Sequence, residues 1–347
     1  MDALDTIPTA YASCSIGTNP ARSLPDRLDA ISRAGFHAIE LSMPDLVSFA
    51  NEHFDSNDID DHSFSKLEEA AHELKKILDA KNLSVFMMQP FANFEGWEHN
   101  SAEHKDAWER VAGWTSIMKA VDCDMLQVGS SDSPASKIGT DRSRFVRDLQ
   151  ELADHLAPKG QRIAYENWCW STHAPDWKDV WDICKQVDRE NFGLCLDTFQ
   201  SAGGEWGDPT TGSGMVEDGK RSKEQVEADW KKSCEELGKT VPKEKIYLLQ
   251  ISDAYKMEKP IERKEIDGLR PRGRWSHDFR PLPFEGYLPT VDFARAVLKT
   301  GFRGWFSYEI FDGGKDGKWE NEYELGPFAK KAMDCQKRLL EEVVKGA

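Results

Sequence analysis

The chain is 347 residues long, 39% apolar, with 12 Trp and 17 Phe, which is ample material for a large buried core and excludes global disorder. Its 45 basic and 61 acidic residues leave a formal charge of −16, which argues against a nucleic-acid partner, since a phosphate backbone needs a basic face. No apolar run approaches the ~20 residues that cross a bilayer, and the opening MDALDTIPTAYAS lacks the apolar stretch of a secretory signal, so no membrane partner and a cytoplasmic location are expected.

In chain order, short β-rich runs are expected at about 11–16, 37–42, 83–89 and 124–129. Four more are expected at about 162–167, 192–197, 246–252 and 305–310. Amphipathic segments separate them. FSKLEEAAHELKKILDAKN (64–82) is one, and FVRDLQELADHLAPKG (145–160) sets Phe145, Leu149, Leu152 and Leu156 on one helical face. PTVDFARAVLKTGF (289–302) carries Thr290 as a candidate N-cap and Gly301 as a stop. Eight strand–helix units predict a single (β/α)8 barrel domain over 1–347. An open doubly wound sheet is the alternative, but no GxGxxG follows the first strand. Two connections look like long loops on the face where barrel active sites sit: from Thr198 to about Arg221, and from about Asp253 to Pro289. Seven scattered cysteines without a CxxC pair read as structural thiols of a reducing compartment.

The chemistry concentrates at the ends of strands five to eight, where Glu166, Asp197, Gln250 and Glu309 each close an apolar run. A carboxylate there is costly unless something positive meets it. Each has an ordinary reading of its own: an N-cap or ion pair for Glu166, a turn for Asp197, a hydrogen bond across the mouth for Gln250, a pair with Arg303 for Glu309. Adjacent strand ends bring all four together, and three carboxylates with an amide oxygen are a hard ligand set. Mg2+ or Mn2+ is the expected ion, with Co2+ or Zn2+ as alternatives.

Around them, His173 is a candidate proton carrier, as imidazole titrates nearest neutrality. The loop after strand seven carries Arg270, Arg272, Arg274, His277 and Arg280, a cationic patch suited to a small anion or, alternatively, a solvated loop that compensates nearby acid. Gln89 and Glu40 point toward the same face, and Trp168 in WCW is placed to wall a ring-shaped substrate or to pack in the core. A small cyclic acid or sugar-like molecule is the expected partner, and a homo-oligomer is compatible with the sequence.

At these residues the chain resembles the xylose-isomerase-like sugar phosphate isomerase/epimerase barrels, and more closely the fungal 3-dehydroshikimate dehydratases of quinate catabolism. The resemblance is carried by GFHAIELSMPDL, MMQPFANFEGW, YENWCWSTHAPDWKDVWDICKQVDRENFGLCLDTFQSAG, YLLQISDA and YLPTVDFARAVLKTGFRGWFSYEIF. It implies Glu166, Asp197, Gln250 and Glu309 as metal ligands and the dehydration of 3-dehydroshikimate to protocatechuate through a metal-stabilised enolate. In that lyase reaction Glu166, Glu309 and His173 stand in catalytic positions, and Arg274, Arg280, His277, Gln89, Gln200 and Trp168 near the substrate. Gln200 stands where many relatives carry histidine, and Ala92–Asn93 where relatives often carry charged or histidine side chains. Competing readings are a sugar (phosphate) isomerase or epimerase on the same metal site, and a non-catalytic barrel that binds a small acid. A DNA-repair barrel of the endonuclease-IV type would need a histidine-rich cluster that these strand ends lack.

Overall fold

The computed structural model describes residues 4, 6–16, 22–320 and 323–345; residues 1–3 and 5 of the N-terminal segment read above lie outside them. Eight parallel strands close into a barrel in sequence order: β1 (Thr9–Ala12), β2 (Ala38–Ser42), β3 (Ser84–Phe91), β4 (Met125–Gly129), β5 (Arg162–Glu166), β6 (Phe192–Asp197), β7 (Ile246–Ile251) and β9 (Trp305–Tyr308). Between the last two lies β8 (Phe279–Arg280), a two-residue strand antiparallel to β10 (Phe311–Asp312). Helices fill the crossovers, as parallel pairing requires. No helix among the described residues is long and apolar enough to cross a membrane.

The strands are buried on both faces, so alternation in the sequence is one of size and polarity rather than of exposure. Ile39, Leu41, Leu126, Val128, Leu194, Leu196, Leu249 and Ile251 point outward into the main core beneath the helices. The opposite set, Ala10, Ala38, Met87, Met125, Ala164, Cys195 and Leu248, forms a separate cluster that plugs the barrel. Two residues further along six of these strands the inward position is polar: Glu40, Gln89, Gln127, Glu166, Asp197 and Gln250. A polar layer thus lies on the plug, at the C-terminal mouth.

Several boundaries differ from the expectation. The first strand starts two residues earlier and stops at Ala12, because Ser13–Ser15 turn into a 3-10 helix. Thr290 is the first helical residue of Thr290–Lys299, and Pro289 caps without a side-chain bond. The stretch after β6 opens with helix Thr198–Glu205, for which Asp197 is the N-cap. The stretch after β7 holds helix Pro271–Asp278, which folds back over the mouth with Trp275 fully buried.

Candidate metal centre and its cavity

Glu166 ends β5, Asp197 ends β6, and the register pairs Asp197 with Gln250 on β7. Glu309 follows β9 by one residue. Its N–H donates to Ile251 O at 3.2 Å, and the next N–H donates to Ser15 Oγ at 2.8 Å, so its backbone is fixed as firmly as a strand. These contacts bring one oxygen each of Glu166, Asp197 and Glu309 within 4.8 Å of one another, all three residues buried. Gln250, wholly buried, donates Nε2–H to Glu40 Oε2 at 2.8 Å, which fixes its amide with the carbonyl end away from Glu40.

Arg280 is the cation that meets this group. Its guanidinium is 1% exposed, donates to Asp197 Oδ2 at 2.6 Å and Ser252 Oγ at 2.9 Å, and pairs with Glu309 Oε2 at 2.8 Å. Its carbon lies 4.6 Å from the Phe199 ring centre. One guanidinium therefore faces three buried carboxylates, Asp197, Glu309 and Glu166, and a fourth, Glu40, lies beside Gln250. Burial, then the charge of Glu309, pushes the Glu40 carboxyl up to about 8. Burial raises Glu309 to about 7 although Arg280 opposes the shift. Burial and the Glu309 and Asp197 charges push Glu166 well above the ordinary range. Such a site favours further positive charge.

The residues suit a divalent cation. Glu166 Oε1 is buried without a hydrogen-bond partner, while the other oxygen of the same carboxylate is engaged by Gln127 and, at 3.3 Å, by Trp168 Nε1. A buried oxygen left free beside two more carboxylates is what an oxygen-binding metal uses.

Above the carboxylates opens a cavity of about 480 Å³. Trp168 and Trp170, stacked at 5.2 Å, form one wall with Leu269 and Phe311. Glu166, Glu309, Gln127, Gln89 and Arg280 reach it from below, and Gln200, Asn93, Asp132 and His277 stand at its sides and rim. Gln89 Nε2 lies 3.4 Å from Glu309 Oε1. Gln200 Oε1 accepts Cys169 N–H at 3.0 Å.

Several expectations need correction. His173 does not reach the mouth: its Nε2 is 2.8 Å from buried Glu95 Oε1 and its ring stacks on Phe145 at 3.9 Å. The basic loop is not a patch. Arg270 donates to Trp170 O and Asp132 O, Arg272 to Gly203 O and Gly207 O, and Arg274 to Glu262 O and Lys264 O. Each guanidinium is spent tying connections together, and Arg274 stands away from the cavity. Glu309 pairs with Arg280 rather than with Arg303, which donates to Leu298 O and Phe302 O. Gln127 was missed, although its signal is present: in MLQVG it is the polar residue at an inward position of an otherwise apolar strand.

A closed parallel barrel with buried carboxylates clustered at its mouth defines a class, and comparison with known proteins identifies it. Residues 28–333 match the family described as xylose isomerase-like TIM barrel, and the chain belongs to that family. A 3-dehydroshikimate dehydratase of Neurospora crassa is 33% identical over 315 residues, covering 87% of this chain and 86% of that protein. A 3-dehydroshikimate dehydratase of Pseudomonas putida is 26% identical over 318 residues; the match takes in 92% of this chain but 39% of that longer protein. Among solved structures, a xylose isomerase-like TIM barrel/4-hydroxyphenylpyruvate dioxygenase fusion protein superposes with a TM-score of 0.71 at 23% identity, covering 97% of this chain and 43% of that one.

Proposed function

We propose that this protein is a metal-dependent carbon–oxygen lyase that dehydrates 3-dehydroshikimate to protocatechuate. The observation that carries the reading is the cluster of Glu166, Asp197 and Glu309 beneath an aromatic-walled cavity, in a chain that matches a Neurospora crassa dehydratase along most of its length. Glu166, Asp197, Gln250 and Glu309 would hold Mg2+ or Mn2+. When bound there, such an ion would supply Lewis acidity for a ketone oxygen.

The remaining work falls to side chains of this chain. The stacked indoles of Trp168 and Trp170 offer a flat face for a six-membered ring and exclude water from one side. Arg280 keeps Glu309 and Asp197 in place. With three N–H groups on Asp197, Glu309 and Ser252 and another 3.3 Å from Ser276 Oγ, one of its five donors remains for substrate. His277 lines the rim with its Nδ1 2.7 Å from Asp278 Oδ1, and its imidazole is open to a ring carboxylate. Glu309 lines the floor of the cavity beside Gln89, 3.4 Å from its Nε2, and is the carboxylate placed to take the proton from carbon. The proton lost from carbon and the hydroxyl lost from the ring leave together as water, and the ring becomes aromatic. Gln200 is a neutral hydrogen-bonding group for a ring oxygen and carries no proton.

Chelator-treated protein should form no protocatechuate from 3-dehydroshikimate, followed by ultraviolet absorbance, until Mg2+ or Mn2+ is restored. Glu166→Gln and Glu309→Gln should abolish the signal. If the metal-loaded protein leaves 3-dehydroshikimate untouched while it interconverts ketoses, the lyase reading fails in favour of an isomerase. If it binds no metal and turns over neither, it is a binding protein.

A further inference from the structure

Three glutamines of the polar layer each face a glutamate: Gln89 faces Glu309, Gln250 faces Glu40, and Gln127 faces Glu166. Gln127 is the most tightly determined of them. Its side chain is 2% exposed, and its Oε1 accepts the Phe91 N–H of the neighbouring strand at 3.2 Å. That bond orients the amide, because a backbone N–H can only donate, so the NH2 end must face the other way. There it meets Glu166 Oε2, and Trp168 Nε1–H reaches the same oxygen at 3.3 Å. Two donors therefore converge on one oxygen of Glu166 and none on the other. Oε1 stays buried and unpartnered on the carboxylate that helps define the candidate metal cluster.

We propose that Gln127 is a positioning residue of the metal site, which fixes Glu166 so that Oε1 alone faces the ion. The inference rests on the metal reading of the carboxylate cluster. Phe91 holds Gln127, Gln127 holds Glu166, and the ligand oxygen is set by a chain of bonds that starts on the backbone of β3. A carboxylate free to rotate would share its time between orientations and offer either oxygen; this one is held before the ion arrives. Groups that orient a metal ligand in this way are worth about 10–100-fold in metal affinity.

The test is Mn2+ binding to chelator-treated protein, read by calorimetry and by the Mn2+ electron paramagnetic resonance line shape. The variants are Gln127→Met, which keeps the length of the side chain but neither bond, and Trp168→Phe, which removes only the indole N–H. Gln127→Met should bind Mn2+ about 10–100-fold more weakly with an altered line shape. Trp168→Phe should shift affinity the same way by a smaller factor. Melting of the metal-free proteins reports folding, and if Gln127→Met does not fold the test is carried by Gln127→Asn, which keeps the amide but is one methylene too short to span Phe91 N–H and Glu166 Oε2 together. Wild-type affinity and line shape in the folded variants would overturn the role of Gln127 while the metal site stands. A wild-type protein that binds no Mn2+ would overturn both.

Discussion

Replacing Arg280 with methionine removes the guanidinium that balances the buried carboxylates at the mouth, and the consequence can be sized. Arg280 contacts Asp197 at 2.6 Å and Glu309 at 2.8 Å with 1% exposure, so these charges lie beyond effective solvent screening. Removal of one partner from a buried pair costs about 3–5 kcal/mol, a large part of the roughly 5–15 kcal/mol that holds a domain folded. The size of the effect should depend on pH. Glu309 sits at about 7 in the folded protein against an ordinary 4.5, and Arg280 is the influence that lowers it. A carboxyl raised on folding binds more protons folded than unfolded, so its stability is complete below the ordinary value and is lost as pH rises through the folded one. For Glu309 in the metal-free wild type that loss is roughly 3 kcal/mol between the two values. Without Arg280 the folded value moves higher still, and the loss continues above neutrality. Urea denaturation of chelator-treated protein, followed by circular dichroism, should therefore show a deficit for Arg280→Met that is larger at about pH 8 than at about pH 6. An equal deficit at both values, or none at the higher one, would refute the account of the site as an excess of buried negative charge.

Two further substitutions probe the walls of the cavity and the residue behind it. A Cβ on Gly129 would lie 2.2 Å from the Trp168 ring, so Gly129→Ala must push that indole toward the cavity. A stability loss of about 1–3 kcal/mol is expected from overpacking, together with a lower kcat/KM for protocatechuate formation, measured by denaturation and by steady-state kinetics. His173→Asn should leave Glu95 without its imidazole partner and destabilise the protein by about 1–3 kcal/mol. In folded variant kcat should stay within a few-fold of wild type; a large fall in kcat at an unchanged melting temperature would restore His173 as a proton carrier.

The barrel was legible because each apolar run ended in a residue that a core does not tolerate. Glu166, Asp197, Gln250 and Glu309 marked the C-terminal ends of four strands, and eight strand–helix alternations closed the sheet. What the sequence left open was direction within loops. Arg270, Arg272, Arg274 and Arg280 look alike along the chain, yet three donate to backbone carbonyls and only the last enters the carboxylate cluster. Arg280 is drawn in because β8 pairs with β10, which starts two residues after Glu309. That pairing is antiparallel and only two residues long, below what periodicity can reveal. His173 misled for a related reason: seven positions after Glu166, the connection has turned away from the mouth, and its histidine meets Glu95, itself hidden in a loop after β3.

The polar layer also explains why the residues that matter most do not stand out one by one. Along six strands a plug residue is followed two positions later by a glutamine, glutamate or aspartate, so the apolar plug and the site share one alternation. Amides alone would be satisfied by one another at little cost, and carboxylates alone would repel. Here they are interleaved: Gln89, Gln127 and Gln250 face Glu309, Glu166 and Glu40, and each amide takes up part of a carboxylate's demand for donors. The demand is not met in full, since Glu166 Oε1 remains buried without a partner. Unmet acceptors in a folded core persist where a ligand supplies what the protein withholds. On Glu166 that acceptor belongs to the carboxylate clustered with Asp197 and Glu309, where a bound cation would supply the missing partner.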